Sequence, residues 1–182
     1  MAEPAPVAEP APVVEPVETD PADTLAARLV HELAARGLTL AVAESLTGGL
    51  VTAEIVTVPG ASAVLRGGVV AYATELKARL LGVDAALLAE RGAVDAVVAE
   101  QMAEGARVRL GPGAEPASIG VATTGVAGPD EQDGHPPGTV FIGLATASGV
   151  VSFALRIPGD REAIRRAVVT ESLSRVLDAA AE

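Results

Sequence analysis

The sequence predicts a single three-layer α/β domain in which helices flank a mixed β-sheet. Three observations carry that prediction. From about residue 24 onward, apolar residues recur with helical and strand-like periods in alternation. The chain is 49% hydrophobic but only 2% aromatic, so the core is built from Ala, Val, Leu and Ile, which suffices for packed layers in a chain of this length. The last two strand-like runs are close enough to form a hairpin, which adds an antiparallel pair to the sheet and makes it mixed.

Residues 2–7, AEPAPV, recur unchanged at 8–13, and the Pro and Glu richness continues to Asp23. Proline removes amide donors and like charges repel, so residues 1–23 are expected to be a disordered, solubilising tail, with the ordered domain at 24–182. Residues 24–36 carry Leu25, Leu29, Val30 and Leu33 on one helical face and stop at Gly37. Leu38–Glu44 reads as a buried strand, and Leu50–Val58 as a helix ending before Pro59-Gly60. Gly68–Thr74 is strand-like, followed by a helix over 75–81 that stops at Gly82. Helices are expected at Asp84–Glu90 and about 94–109, and strands at Ser118–Thr124 and Thr139–Thr146. Val150–Arg156 pairs with the latter through Ser148-Gly149, and a last helix runs from about Arg161 to Ala180.

Composition excludes several classes of function. The formal net charge is −11. Of 24 acids, six fall in residues 1–23, which hold no Lys or Arg, so the remainder has 18 acids against 13 bases. Such a surface repels nucleic acid, and few rings are present for base stacking. No Cys is present, so disulfides, thiolate metal sites and a Cys nucleophile are ruled out. No apolar run reaches the roughly 18 to 20 residues that span a membrane. The start is neither basic nor continuously apolar, unlike a secretory signal, and the protein is expected to be cytoplasmic.

Scarcity points to the chemistry. Twelve of the thirteen basic residues are Arg; Lys77 is the only Lys and Tyr72 the only Tyr. Lys differs from Arg in that a suitably placed ammonium can lose its proton. With Thr74 as helix cap, Lys77 falls at the third helical position, where a capping box usually takes Glu or Gln. The positive end of the helix dipole and partial burial both disfavour the charged form there, which suits a general base. A solitary surface Lys and a half-buried core phenol are the plainer alternatives. Ser45, in VAESLTGG at 42–49, lies between strand and helix. It either caps that helix or is a nucleophile at a strand-to-helix turn. Neither Ser45 nor Thr47 has Glu or Gln three residues on, while Gly48 and Gly49 allow backbone amides to approach an anion. A second glycine turn, TTGVAGPD at 123–130, follows a different strand and can border the same cleft. A triad would have to recruit His135, since His31 lies in the first helix; Asp130, Asp133 and His135 read as a solvated loop rather than a metal site. Ser activated by Lys and assisted by Tyr is the better-supported arrangement.

Taken together, AESLTGG (43–49), VPGASAVLRGGVVAYATELKARLLGV (58–83), GAVDAVVAEQMAEGAR (92–107), TTGVAGPD (123–130), PGTVFIGLA (137–145) and GDREAIRRAV (159–168) resemble the CinA C-terminal domain family, which includes bacterial nicotinamide-nucleotide amidases. The resemblance covers residues 24–178. It implies hydrolysis of the carboxamide of nicotinamide mononucleotide to nicotinate mononucleotide and ammonia, without metal or cofactor, and a possible homodimer. It places the catalytic Ser, Tyr and Lys on Ser45, Tyr72 and Lys77. It also implies pocket-lining roles for Thr47, Gly48, Gly49, Thr124 and Gly125, and a substrate-phosphate role for Arg161. Backbone amides around Thr47 to Gly49 would then hold the oxyanion, with Lys77 as base and Tyr72 as relay. Leu46 stands where many relatives have Cys, Asp95 where many have Ser, and the 130–137 loop, DEQDGHPP, is poorer in glycine. The pyrophosphatase-like domain of longer relatives has no counterpart here. Two further readings stay open: a nucleotide-binding or regulatory domain without turnover, and an amidase for another small amide.

Overall fold

The computed structural model describes residues 24–111, 113 and 115–181; the expected tail at 1–23 lies outside them. Helix α1 (Leu25–Ala35) is capped by Thr24, whose hydroxyl accepts from the Ala27 amide at 3.1 Å. It turns at Gly37 into β1 (Leu40–Glu44), every residue of which is buried. Then follow α2 (Leu50–Val56), a 3-10 turn (Ala61–Ala63) and β2 (Leu65–Val70), and next α3 (Thr74–Leu81), α4 (Ala85–Arg91) and α5 (Ala96–Arg109). The strands β3 (Ile119–Gly125), β4 (Thr139–Thr146) and β5 (Gly149–Arg156) complete the sheet, and α6 (Arg161–Ala181) closes the chain.

The sheet order is β2-β1-β3-β4-β5. Strands β2, β1 and β3 are parallel, and β4 pairs antiparallel with both β3 and β5, which is the expected mixed sheet. Alternation along β1 builds the layers. Leu40 and Val42 join the larger core with α1, α2 and α6, whereas Ala41 and Ala43 face α3, α4 and α5. The second interface is thin. A Cβ on Gly120 would lie 2.2 Å from the Ala103 carbonyl oxygen, and one on Gly143 2.0 Å from that of Ala99. Helix α5 therefore rests almost backbone to backbone on β3 and β4. Close approach of this kind replaces the bulk that aromatic side chains supply in other cores.

Several boundaries differ from expectation, most by one or two residues; β1 begins at Leu40 rather than Leu38 and α2 ends at Val56 rather than Val58. Strand β2 begins at Leu65 and ends at Val70 instead of running Gly68–Thr74. The Gly67-Gly68 pair reads as a break, but Gly68 is where the strand receives α2: a Cβ there would lie 2.1 Å from the Thr52 hydroxyl. The Ala71 amide makes one more bond to β1, at 2.9 Å to the Glu44 carbonyl, and beyond it the chain leaves the sheet. Helix α3 is entered through Ala73 rather than Thr74. Asp95 is the N-cap of α5, its carboxylate accepting from the amides of Val97 and Val98. A capping Asp thus does there what a Ser would do. In the β4–β5 hairpin Gly149 already pairs with Thr146, so the loop is Ala147-Ser148.

Candidate active site

Strand β1 sits between its two parallel neighbours, and the chain passes from one flank to the other between β2 and β3. Ligands of open α/β sheets gather outside the carboxyl ends of strands at such a switch point. The segments following β1, β2 and β3 at that edge carry Ser45, Tyr72 and the 125–132 loop.

At the end of β1 the fully buried Glu44 carboxylate accepts from the amides of Gly49 (2.8 Å), Val51 (3.1 Å) and Thr52 (2.9 Å) and from the Thr52 hydroxyl (2.7 Å). Four donors at the start of α2 are satisfied by one side chain, and its negative charge suits the positive end of that helix. The strand itself caps the helix. Ser45 is therefore released from capping, and the Ser45–Gly49 turn is tight: Ser45 donates its amide to the Thr123 carbonyl at 3.0 Å and accepts from Gly48 N–H at 3.1 Å.

Lys77, the fourth residue of α3, is 0% exposed, which removes the surface-cation reading. Its Nζ lies 3.1 Å from Ser45 Oγ, 2.8 Å from the Ala71 carbonyl and 3.3 Å from the Tyr72 carbonyl. Counting donors settles what this nitrogen can do. The two carbonyls only accept, so they take two N–H groups. The Ser45 hydroxyl can both donate and accept, so the third site serves either an ammonium N–H or the lone pair of a neutral amine. Burial pushes the Lys77 ammonium down to about 8, against the opposing pull of the Asp133 and Glu75 carboxylates.

Tyr72 is 58% exposed, so the core-phenol alternative does not hold. Its hydroxyl accepts from Arg161 Nη2 at 3.1 Å, away from the Ser45–Lys77 pair, while Arg161 Nη1 donates to the Gly128 carbonyl at 2.8 Å. Ser45, Leu46, Tyr72, Arg161 and the 125–132 loop, with its cis Gly128–Pro129 bond, surround a cavity of about 260 Å³.

Of the residues read as substrate-binding, Gly125 and Arg161 line this cavity. Thr47 and Thr124 do not: both are buried, with hydroxyls spent on Thr123 Oγ1 (2.8 Å) and the Ala93 carbonyl (2.5 Å). The amides of Gly48 and Gly49 are taken by Ser45 O and Glu44, so neither is free to meet an oxyanion. The unpaired amides of the turn, among the described residues, are those of Leu46 and Thr47. His31 is exposed on α1. Asp133 accepts from the Ala93 amide at 2.9 Å, and His135 meets Phe141 edge-on with ring centroids 6.5 Å apart.

Two residues at the site escaped sequence reasoning. Glu44 is signalled by an acid ending a fully apolar run before a helix that lacks a capping box. Arg165, four residues after Arg161 on α6, donates from Nε to the Leu46 carbonyl at 2.9 Å and from Nη2 to the Thr47 carbonyl at 2.7 Å. Its spacing from Arg161, i to i+4 on one helix face, was the available signal.

The family model for the CinA C-terminal domain matches residues 22–180. The chain belongs to the CinA C-terminal domain family. A "CinA-like protein" from Frankia casuarinae is 51% identical over 154 residues, which cover 85% of this chain and 34% of the relative. One from Geobacter sulfurreducens is 48% identical over 152 residues, covering 83% and 35%. The chain thus spans about a third of the length of these CinA relatives. Among solved structures, a CinA superfamily protein from Klebsiella pneumoniae superposes with a TM-score of 0.81 at 30% identity, covering 90% of this chain and 99% of that one. The competence/damage inducible protein CihA from Agrobacterium tumefaciens gives 0.81 at 33%, covering 92% and 100%. The mixed α/β sheet described above is therefore the fold of a CinA C-terminal domain.

Proposed function

We propose that the chain is an amidohydrolase that converts nicotinamide mononucleotide to nicotinate mononucleotide and ammonia through an acyl-enzyme on Ser45. The observation that carries this reading is the buried Lys77 amine 3.1 Å from Ser45 Oγ, with its other hydrogens engaged by two carbonyls. As the neutral amine, Lys77 takes the Ser45 proton while Oγ forms its bond to the carboxamide carbon. The oxyanion is received by the free amide of Leu46, a residue that lines the cavity. The C–N bond then breaks, Lys77 returns the proton to the departing nitrogen, and ammonia leaves. Water attacks the ester and gives a proton to Lys77; the C–Oγ bond then breaks and Lys77 returns that proton to Oγ, restoring Ser45 and the neutral amine. Arg161 at the cavity rim meets the phosphate, and Tyr72 steadies both Lys77 through its carbonyl and Arg161 through its hydroxyl.

One observation favours a second reading. Asp130 and Glu131 line the same cavity as Arg161, which favours an amidase for a small amide without phosphate. Incubation with nicotinamide mononucleotide or nicotinamide riboside, followed by assay of ammonia and deamidated product, separates the two. Equal release of ammonia and nicotinate mononucleotide, lost in Ser45→Ala, is expected. Preference for the riboside would favour the second reading, and no ammonia from either would remove the first.

A further inference from the structure

We infer that Arg165 is a positioning residue: its guanidinium, gripping two successive carbonyls of the Ser45 turn, aims the Leu46 amide that receives the oxyanion. The inference rests on the acyl-transfer reading above and concerns a residue that reading did not use.

A peptide unit is planar and trans, so its carbonyl and its N–H point in opposite directions. Holding one end fixes the other. The two free amides of the turn belong to the peptide units 45–46 and 46–47. In the first, the Ser45 carbonyl is tied by Gly48 N–H at 3.1 Å. In the second, the Leu46 carbonyl is tied by Arg165 Nε at 2.9 Å. Both units are thus anchored at the oxygen; Leu46, whose amide ends the first, lines the cavity, while Thr47, whose amide ends the second, is fully buried behind it. Arg165 Nη2 also holds the next carbonyl, Thr47, at 2.7 Å, and the amide of that third unit belongs to Gly48, which closes the turn. One planar fork on α6 therefore governs the 46–47 unit directly and the 45–46 unit through Gly48.

The turn is shaped around this fork. Gly48 has φ 61, and a Cβ there would stand 3.3 Å from Arg165 Nη2. Lysine keeps the charge but not the fork: the guanidinium holds each carbonyl with a separate nitrogen in one rigid plane, whereas an ammonium offers a single nitrogen on a flexible stem. Arg165 touches neither Ser45 Oγ nor Lys77, so its loss leaves the base and its proton affinity in place.

The test uses the full chain with Arg165→Gln and Arg165→Lys. Both are expected to lower kcat for nicotinamide mononucleotide on the order of 10²-fold, with KM and the midpoint of the pH–rate profile unchanged and the melting temperature lowered only modestly by the two lost hydrogen bonds. Labelling of Ser45 by a fluorophosphonate, which builds charge at the same amide, should slow in parallel. A purely structural Arg165 would show a lowered melting temperature with kcat intact below it. Retention of kcat within about twofold in the folded variants overturns the inference, as does a loss confined to KM. If Arg165→Gln does not fold, Arg165→Lys alone decides by the same criteria. If the unaltered chain releases no ammonia, the nucleotide reading fails, and fluorophosphonate labelling still decides on Arg165.

Discussion

Lys77 is a titratable group held where its charge is unwelcome. Burial brings its pKa from 10.5 to about 8. Below about 8 both folded and unfolded chains carry the proton, and the folded chain bears the full cost of a buried cation, roughly 3 kcal/mol. Between 8 and 10.5 the unfolded chain binds more protons, so this residue's contribution to stability improves as pH rises through that window. Turnover should rise with pH along a limb whose midpoint lies near 8, because the neutral amine is the working form. Lys77→Met removes both the cost and the base. Its melting temperature at pH 7 should exceed that of the parent, while kcat falls by about 10² to 10⁴. Ser45→Ala in the same chain should add little further loss, since the two act as one unit. Lys77→Arg is the poorer probe, for a guanidinium in the same burial would disturb the fold as well. The pair itself was legible in the sequence through scarcity: one Lys, placed against the local rule. Glu44 and Arg165 were not, because, the Thr52 hydroxyl apart, their partners are backbone atoms that no residue type advertises.

Helix α2 shows how one side chain can set an element. It has seven residues, begins at a glycine with φ 100 and has no cap of its own. Its first turn hangs on Glu44. Glu44→Gln puts an amide NH₂ among four donors and leaves some of them unsatisfied. A loss of roughly 1 to 3 kcal/mol is expected in chemical denaturation, with kcat reduced because the Ser45 turn is anchored at the same carboxylate. An unchanged denaturation midpoint would show that the helix is held by packing alone. Helices with a strong apolar stripe or a Gly stop, such as α1 and α5, were readable to within a residue or two. Strand β2 was not: its two glycines look like a break, and only the approach of Thr52 explains why the strand needs one there. The start of α3 was displaced for a similar reason, since Ala73 offers no capping side chain to read.

Across the whole molecule, layer assignment followed from composition and period, but strand order did not. Nothing local to β1 says that β2 and β3 flank it; that follows from which faces are buried once α5 and α6 are in place. The thin layer is the whole-molecule feature most open to test. With the Cβ position of Gly143 only 2.0 Å from the Ala99 carbonyl oxygen, Gly143→Ala must push α5 off the sheet. A cost of about 1 to 3 kcal/mol is expected, measured as a lowered melting temperature, with the Ser45–Lys77 chemistry unimpaired in the fraction that stays folded. Gly67→Ala, where a Cβ meets nothing within 4 Å and the backbone is not in the positive-φ region, is the matched control for added bulk.

The placement of Tyr72 has an optical consequence. The chain has no Trp and one Tyr, and that phenol stands at the mouth of the cleft with its hydroxyl on Arg161. Near-ultraviolet absorbance and intrinsic fluorescence beyond the two Phe rings therefore originate from a single chromophore at the place where a ligand would enter. Emission from this protein reports on its doorway and is nearly blind to its interior. A titration followed at tyrosine wavelengths needs no dye, no engineered probe and no correction for distant fluorophores. In a denaturation experiment the same signal would time the opening of the cleft, while backbone circular dichroism timed the collapse of the sheet.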